Sequence, residues 1–445
     1  VVVNEKMVLR VLCVVALAAV SSGCVISETR PVEYEPAERA QTEVADSHRL
    51  NIGVAVLDPG LPEEGSRAAK KESVSPAVRE AEGRYIAYHL KDTLERTSHW
   101  GSVRVVPNDR VGTELMVSGT ILESGGLELE LDIVAEDATG RVWLDRKFKG
   151  RADSGTYSDG EVMGRDPFQN VYNEIANALL AERARLDRAE LVDIRRVAEL
   201  RFAESLAPSV FDGLLEEQRG HYEVVRLPAD NDPMVERMRA VRDRDQLFVD
   251  TLNEHYAGFY RQMDGPYDDW RKYSYDEAIA LKELKAAARW RKLVGAAAVV
   301  GAVVADANTE SSAGDVASNV MLIGGIELFR QGIQVGKEAK MQQEVLAELS
   351  TSFGQEIEPA TVEVAGETRR LEGSAATQYS EWRRLMREIY EAETGFELPD
   401  EEPPGLQRAD SPEDEPSAER LSVSDEEAPT TQTAELAAGD PTTAQ

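Results

Sequence analysis

Cysteine is nearly missing from this sequence. Two residues in 445, Cys13 and Cys24, are too few for a disulfide framework or a cysteine-built zinc site. Histidine is scarce too, and the five present, His48, His89, His99, His221 and His255, never fall three or four residues apart, which removes the usual helical metal pair. Basic charge is in short supply: 50 Lys and Arg stand against 82 Asp and Glu, a formal charge of −32. A surface this acidic neither neutralises nucleic-acid phosphate nor lies flat on anionic lipid. There is no G-x-S-x-G elbow, P-loop or dinucleotide fingerprint, so neither a hydrolase nucleophile nor a nucleotide cradle is expected. No cofactor, metal or catalytic set follows from these residues. Carboxylates are too numerous for one pair to mark a glycosidase.

What is present suffices for folding. At 445 residues, 42% hydrophobic and 30% charged, the chain can bury a sizeable core and has the length of two or three domains. From Met7, the expected start of translation, it reads "MVLRVLCVVALAAVSSGC". That is one basic residue, Arg10, then an apolar run Val11–Val20 too short to span a bilayer, then small residues before Cys24. The stretch resembles a bacterial lipoprotein signal, in which residues 1–23 are removed and the cysteine becomes the acylated first residue. Ser21 stands where that pattern prefers Leu, and an ordinary secretory signal with an incidental cysteine is the alternative. The resemblance implies that Cys13 leaves with the signal and Cys24 carries lipid, so no thiol pair remains. Two or three acyl chains would anchor the protein durably, each buried methylene contributing roughly 0.8 kcal/mol. Val25 follows the cysteine rather than an acidic residue, which by the same resemblance favours the outer membrane and a body facing the periplasm.

Residues 24–48 are polar, contain proline and lack an apolar period, the composition of a tether. An α/β region follows, 49–186. "LNIGVAVLD" (50–58) suits a strand covered on both faces. Ile86, Ala87, Leu90 and Leu94 mark one face of a helix over 78–97, and "SVRVVP" (102–107) a second strand. The three together predict a right-handed β-α-β unit. Strands are predicted at Leu115–Leu122, Leu127–Ala135 and Val142–Phe148, the last two alternating apolar and charged residues as antiparallel strands with one wet side do. Facing the apolar sets sets Ala135 against Val142 and Leu129 against Phe148, around a loop Asp137-Ala138-Thr139-Gly140. A helix then opens "DPFQNVYNEIANALL", with Asp166 as its cap and Pro167 in its first turn.

This order, β-α-β-β-β-β-α closing on "DPFQNVYNEIANALL", resembles the small α/β domain at the N-terminus of the periplasmic Tol translocation protein. Related domains occur in a lipoprotein activator of peptidoglycan synthases and in the curli export lipoprotein. The resemblance spans about 49–186 and rests on order and pattern. It implies an α+β fold and a non-enzymatic protein-binding module in the periplasm. The Tol protein continues into a β-propeller, and nothing here repeats at the ~40-residue period a propeller requires.

Residues 187–396 read as mainly helical. A helix carrying Leu191, Ile194, Val197 and Ala198 ends before Pro208, and a short strand is predicted at Tyr222–Leu227. From Pro233 a long seam of Met234, Met238, Val241, Phe248, Leu252, Tyr256, Phe259 and Met263 leads to a turn expected at Gly265-Pro266. The aromatic concentration Tyr256, Phe259, Tyr260, Tyr267, Trp270, Tyr273 and Tyr275 suits either a stitched helix junction or a glycan-stacking surface. The uncharged run Leu293–Ala305 is thirteen residues, about 20 Å as a helix and too short to span. Its small residues Gly295, Ala298, Ala302 and Ala305 recur at helical spacing, as do Gly325, Gly332 and Gly336 further on. Such faces let helices approach closely, so a helical hairpin is expected at about 277–353, packing in water, inserting partly into a membrane or joining copies into an oligomer. A β-hairpin around Gly366 and a helix with Tyr379, Trp382, Met386 and Ile389 on one face complete the region. The tail 397–445, with 14 acidic residues against Arg408 and Arg420, is expected to be disordered.

Two functions of different classes are compatible with this reading. One is an acylated envelope lipoprotein serving as a non-enzymatic adaptor or assembly factor for protein partners, with no nucleic acid involved. The other is an envelope hydrolase acting on peptidoglycan or glycan.

Overall fold

Every residue of Ile52–Ala55 (β1) is buried, which requires a central strand covered on both faces. β1 pairs in parallel with Val103–Val106 (β2) and with Leu115–Ser124 (β3). Helix Pro76–Arg96 (α1) makes the crossover between β1 and β2. Antiparallel strands Glu128–Asp137 (β4) and Val142–Arg151 (β5) extend the sheet to five, in the order β2-β1-β3-β4-β5. In the computed structural model the described residues are 33–62, 76–107, 112–153, 155–157, 165–229, 231–304, 341, 343–354, 357–364 and 367–395, with the backbone alone at 283–304, 364 and 367.

The chain is α+β. Around the sheet stand helices Gln169–Arg183 (α2), Arg188–Leu206 (α3), Pro233–Val304 (α4) and Ala375–Thr394 (α5). Two small hairpins accompany them, Leu215–Gln218 with His221–Val224 (β6, β7) and Ala360–Val364 with Glu367–Leu371 (β8, β9). Asp187 and Glu190 start α3 with a reciprocal capping box, and Gly395 ends α5 at φ 69°, a conformation glycine adopts without strain. Buried apolar residues from Leu50 to Tyr390 form one continuous cluster, so the strands within 49–186 and the helices within 187–396 share a core.

Three expectations are corrected. The β4–β5 register is displaced: Ala135 opposes Leu144 and Leu131 opposes Phe148, with a bulge between Ala135 and Glu136. The cause lies in the loop. Asp137 accepts hydrogen bonds from the Thr139 amide (2.9 Å), the Thr139 hydroxyl (2.6 Å) and the Trp143 indole (2.8 Å). Trp143 is thereby turned into the core, and Val142, expected inside, is 53% exposed. At the other end Gly150 opposes Leu129. A Cβ there would come 2.4 Å from Val171 Cγ2, so the missing side chain makes room for α2.

The second correction concerns the helix past Met263. α4 does not turn at Gly265-Pro266 but runs 72 residues through Pro266, about 108 Å at 1.5 Å per residue. Proline in a helix interior costs about 3 kcal/mol. Met263, Tyr267 and Trp270, all buried on one face, offset that cost by burying about 1.5–3 kcal/mol of apolar surface each.

Third, the second half of the expected tether is part of the fold. Residues 33–48 lie against α2 and α3 without regular secondary structure until one 3-10 turn, Asp46–His48.

Candidate functional site

Three asparagines at helical spacing on α2 hold residues 33–38 by backbone alone. Asn170 donates to Glu33 O (2.7 Å) and accepts from Glu35 N (3.1 Å); Asn173 donates to Glu35 O (2.8 Å). Asn177 donates to Pro36 O (3.3 Å) and accepts from Glu38 N (2.7 Å). Further along, Ala40 N donates to Thr97 O (2.9 Å), Arg183 to His48 O (2.9 Å) and Arg195 to Asp46 O (2.8 Å). Residues 33–48 thus form a strap fastened at both ends.

The strap walls one side of a cleft of about 650 Å³. Two antiparallel helices supply the other walls, each through one stripe: Tyr85, His89, Asp92 and Arg96 on α1, and Tyr260, Asp264, Asp268 and Arg271 on α4. Residues three and four apart share a helix face, so each stripe is continuous. At the floor, the Arg271 side chain is 1% exposed and that of Asp166 2%. Arg271 donates to Asp166 Oδ2 (2.7 Å) and to Asp268 Oδ1, and its guanidinium lies 4.2 Å above the Tyr267 ring centre. Asp166, expected only as a helix cap, also accepts from the Phe168 amide (2.8 Å). It sits ahead of α2, whose regular turns begin at Gln169.

Burial alone would raise the Asp166 carboxyl, but Arg271, with His89 nearby and the two hydrogen bonds, holds it below the ordinary aspartate value. Burial likewise opposes the Arg271 charge, and Asp166, Tyr267, Tyr85 and Asp268 outweigh it, so Arg271 stays protonated. Asp268 is pushed up by burial, against the pull of Arg271. Beneath them Glu82, fully buried, accepts from Tyr267 (2.9 Å) and from Ser124, with Arg79 at 3.6 Å. Burial raises its carboxyl, and these partners only partly offset the effect.

A relay of hydrogen bonds joins the long helix to the strap. Gln169 Oε1 can only accept, so His89 Nε2 carries a hydrogen and donates to it (2.9 Å), while the Tyr260 hydroxyl meets His89 Nδ1 (2.7 Å). Gln169 donates to Asn173 Oδ1 (3.0 Å), and Asn173 to the strap carbonyl of Glu35. Tyr85 stacks on Tyr260 with ring centres 4.6 Å apart and donates to Asp264 Oδ1 (3.0 Å). One glycine lets this seam close. A Cβ on Gly126, between β3 and β4, would lie 1.8 Å from Arg271 O and 2.3 Å from Tyr275 N, so the loop rests directly on the α4 backbone.

The residues singled out from the sequence lie elsewhere. Cys24 falls outside the described residues, as do Ala305, Gly325, Gly332 and Gly336. Gly295, Ala298 and Ala302 lie on the α4 backbone, whose helical form carries them at three- and four-residue steps on one face. Tyr256, Phe259, Tyr267, Trp270 and Tyr275 are buried in the core, which excludes them as a glycan-stacking surface. Among the described residues no helix is long and apolar enough to cross a membrane, and no group of three or more His, Cys, Asp or Glu could hold a metal ion. The cleft itself was missed in the sequence. Its signals were there: asparagines at 170, 173 and 177, and polar stripes at three- and four-residue steps beside the apolar faces of two helices. Compared with known protein families, curated proteins and solved structures, the chain gives no match.

Proposed function

We propose that this chain is an acylated lipoprotein of the bacterial cell envelope, anchored through Cys24 and facing the periplasm, that serves protein partners as a non-enzymatic adaptor or assembly factor. The observation that carries the reading is the strap. The strap is held at Glu33, nine residues after Cys24, a span of at most about 30 Å of extended chain. An anchor at Cys24 therefore holds the cleft close to the membrane surface, where a partner fixed in the envelope can reach it. The β-α-β-β-β-β-α order of residues 52–183 supports the likeness to the Tol-type binding domain, and the charge of −32 favours basic partners.

The side chains of the cleft with acid–base chemistry engage one another. His89 has a partner at each ring nitrogen, Asp166 and Asp268 hold Arg271, and Asp264 accepts from Tyr85. Such mutual engagement suits a rigid recognition surface. One observation favours a hydrolase instead: Asp264 and Asp268 stand one turn apart in the cleft, and release of soluble fragments from peptidoglycan by the purified protein would establish that reading in place of the adaptor.

Two measurements test the proposal. Intact mass of the protein from native envelopes is expected to show a chain beginning at acylated Cys24; an unmodified thiol or an uncut leader overturns the anchor. Photo-crosslinking residues placed at Gln41 and Arg96, both exposed on the cleft rim, are expected to give discrete protein adducts. Their absence overturns the adaptor.

A further inference from the structure

The grip of α2 on the strap repeats itself. Asn170 donates to the Glu33 carbonyl and accepts from the Glu35 amide, bracketing Tyr34. Asn177 donates to the Pro36 carbonyl and accepts from the Glu38 amide, bracketing Ala37 in the same way. The second bracket lies three residues along the strap and seven along the helix. Seven helical residues advance about 10.5 Å and three residues of open chain about 9–11 Å, so helix and strap keep step. A carboxamide offers a donor and an acceptor together, and it meets the backbone whatever side chains that backbone carries. Pro36 falls between the two gripped amides, at a position whose nitrogen is not used.

Little makes the strap permanent. None of residues 33–49 is buried, and all four bracket bonds are exposed. Such bonds contribute about 0.5–1.5 kcal/mol each, and segments held by them without buried apolar groups open first. Two neighbours discriminate between side chains: the Arg165 guanidinium lies 4.2 Å over the Tyr34 ring, and Ala37 packs half-buried against the core. We propose that the asparagine face of α2 is a receptor for an open peptide chain, that the strap is its resident occupant, and that a segment of a partner protein takes the strap's place. The segment it fits carries an aromatic residue, a small residue three positions later, and an N–H on the residue after each. Main-chain bonds then supply the affinity and the two side chains the selectivity. This assignment rests on the adaptor role proposed above, for which it names the chemistry a partner presents.

Fluorescence anisotropy of the full chain in detergent tests it with two labelled peptides. One is RPVEYEPAERAQ, the sequence of residues 30–41; the other, GSGYSSASGS, keeps only the aromatic and small positions. Glu35→Pro with Glu38→Pro opens the receptor, since it deletes the two gripped amides of the strap and leaves α2 unaltered. Both peptides are expected to bind the opened chain saturably, and at least tenfold more weakly to the unaltered chain, whose strap competes. Adding Asn170→Ala with Asn177→Ala, or N-methylating the corresponding two amides of the peptide, should cost at least tenfold. Failure of either peptide to bind the folded opened chain, or binding indifferent to the asparagines or to N-methylation, overturns the assignment. Should the opened chain not fold, hydrogen exchange of the unaltered chain decides: excess peptide should speed exchange over residues 33–38 while β4 stays protected, and unchanged exchange overturns the receptor. A dimer that forms only while Asn170 and Asn177 are present makes a second copy the occupant and overturns the partner. Crosslinked partners without peptide binding overturn the receptor alone, and peptide binding without any crosslinked partner overturns the adaptor alone.

Discussion

Helix α1 packs on the sheet through Ile86, Leu90 and Leu94, all fully buried, on the face where Gly83 lies against the Leu57 carbonyl. It packs on α4 through Glu82, Tyr85 and His89, whose polar atoms meet Tyr267, Asp264 and Tyr260. The sheet face is dry throughout, whereas the α4 face is dry at Glu82 and borders the cleft at Tyr85 and His89, and the two differ in what specifies them. The sheet contact needs volume and shape, and related apolar side chains can substitute with modest loss. The α4 contact needs particular partners, because a buried charge without its counterpart is strongly destabilising. Such a seam fixes which turn of a 72-residue helix meets α1, a register that an apolar stripe alone leaves open to slippage.

Breaking the charged side of this comparison should have the largest effect. Arg271→Met strands Asp166 in the core and is expected to cost about 3–5 kcal/mol in denaturant unfolding. Leu131→Ala on the sheet, at a fully buried position, should fall in the comparable range of about 2–5 kcal/mol. A cost under about 1 kcal/mol for Arg271→Met would show that the seam's charges do not secure it.

The same seam carries a pH signature. Glu82 in the folded protein titrates above its ordinary value of 4.5 because burial disfavours the charge, so its contribution is fully present below pH 4.5 and is lost as pH rises through the raised value. Stability measured against pH should decline over that window, and Glu82→Gln should flatten the decline. An unchanged slope would remove Glu82 from the account.

Asn173→Ala sharpens the comparison at the strap. It removes the donor to Glu35 O and the acceptor for Gln169, an expected loss of about 1–3 kcal/mol. Hydrogen exchange should speed up over residues 33–38 while β4 remains protected; parallel loss in both would mean that strap and sheet open together. The smallest effect belongs to the wet face of the sheet. Lys149 touches Glu128 (2.9 Å), Glu130 (3.1 Å) and Glu123 (3.6 Å) but is half exposed, so Lys149→Ala should change stability by at most about 1 kcal/mol, less in high salt.

Legibility in the sequence followed the same division. Strands such as β4 announce themselves because Leu129, Leu131 and Ile133 alternate with acids, and period alone states which side faces the core. The register against β5 was off by two residues, because a bulge and the Asp137–Trp143 bond outweigh a pairing that alternation cannot distinguish from its neighbours two residues away. Pro266 reads as a turn signal, yet the buried residues around it carry the helix through. The strap reads as a linker since most of its side chains are polar, and what the α2 asparagines grip is its backbone, which has no sequence signature of its own.

From the sequence by itself came the element types, the apolar faces, the acidic balance and the scarcity of metal and thiol chemistry, because periodicity and composition act locally and add along the chain. Only the tertiary structure decided that Glu82, Asp166 and Arg271, residues 82, 166 and 271 in the chain, share one buried network, and that a polar segment closes a cleft above them. The physical reason is that a buried charge is tolerated only where distant elements bring it a partner, and no local pattern records which distant partner arrives.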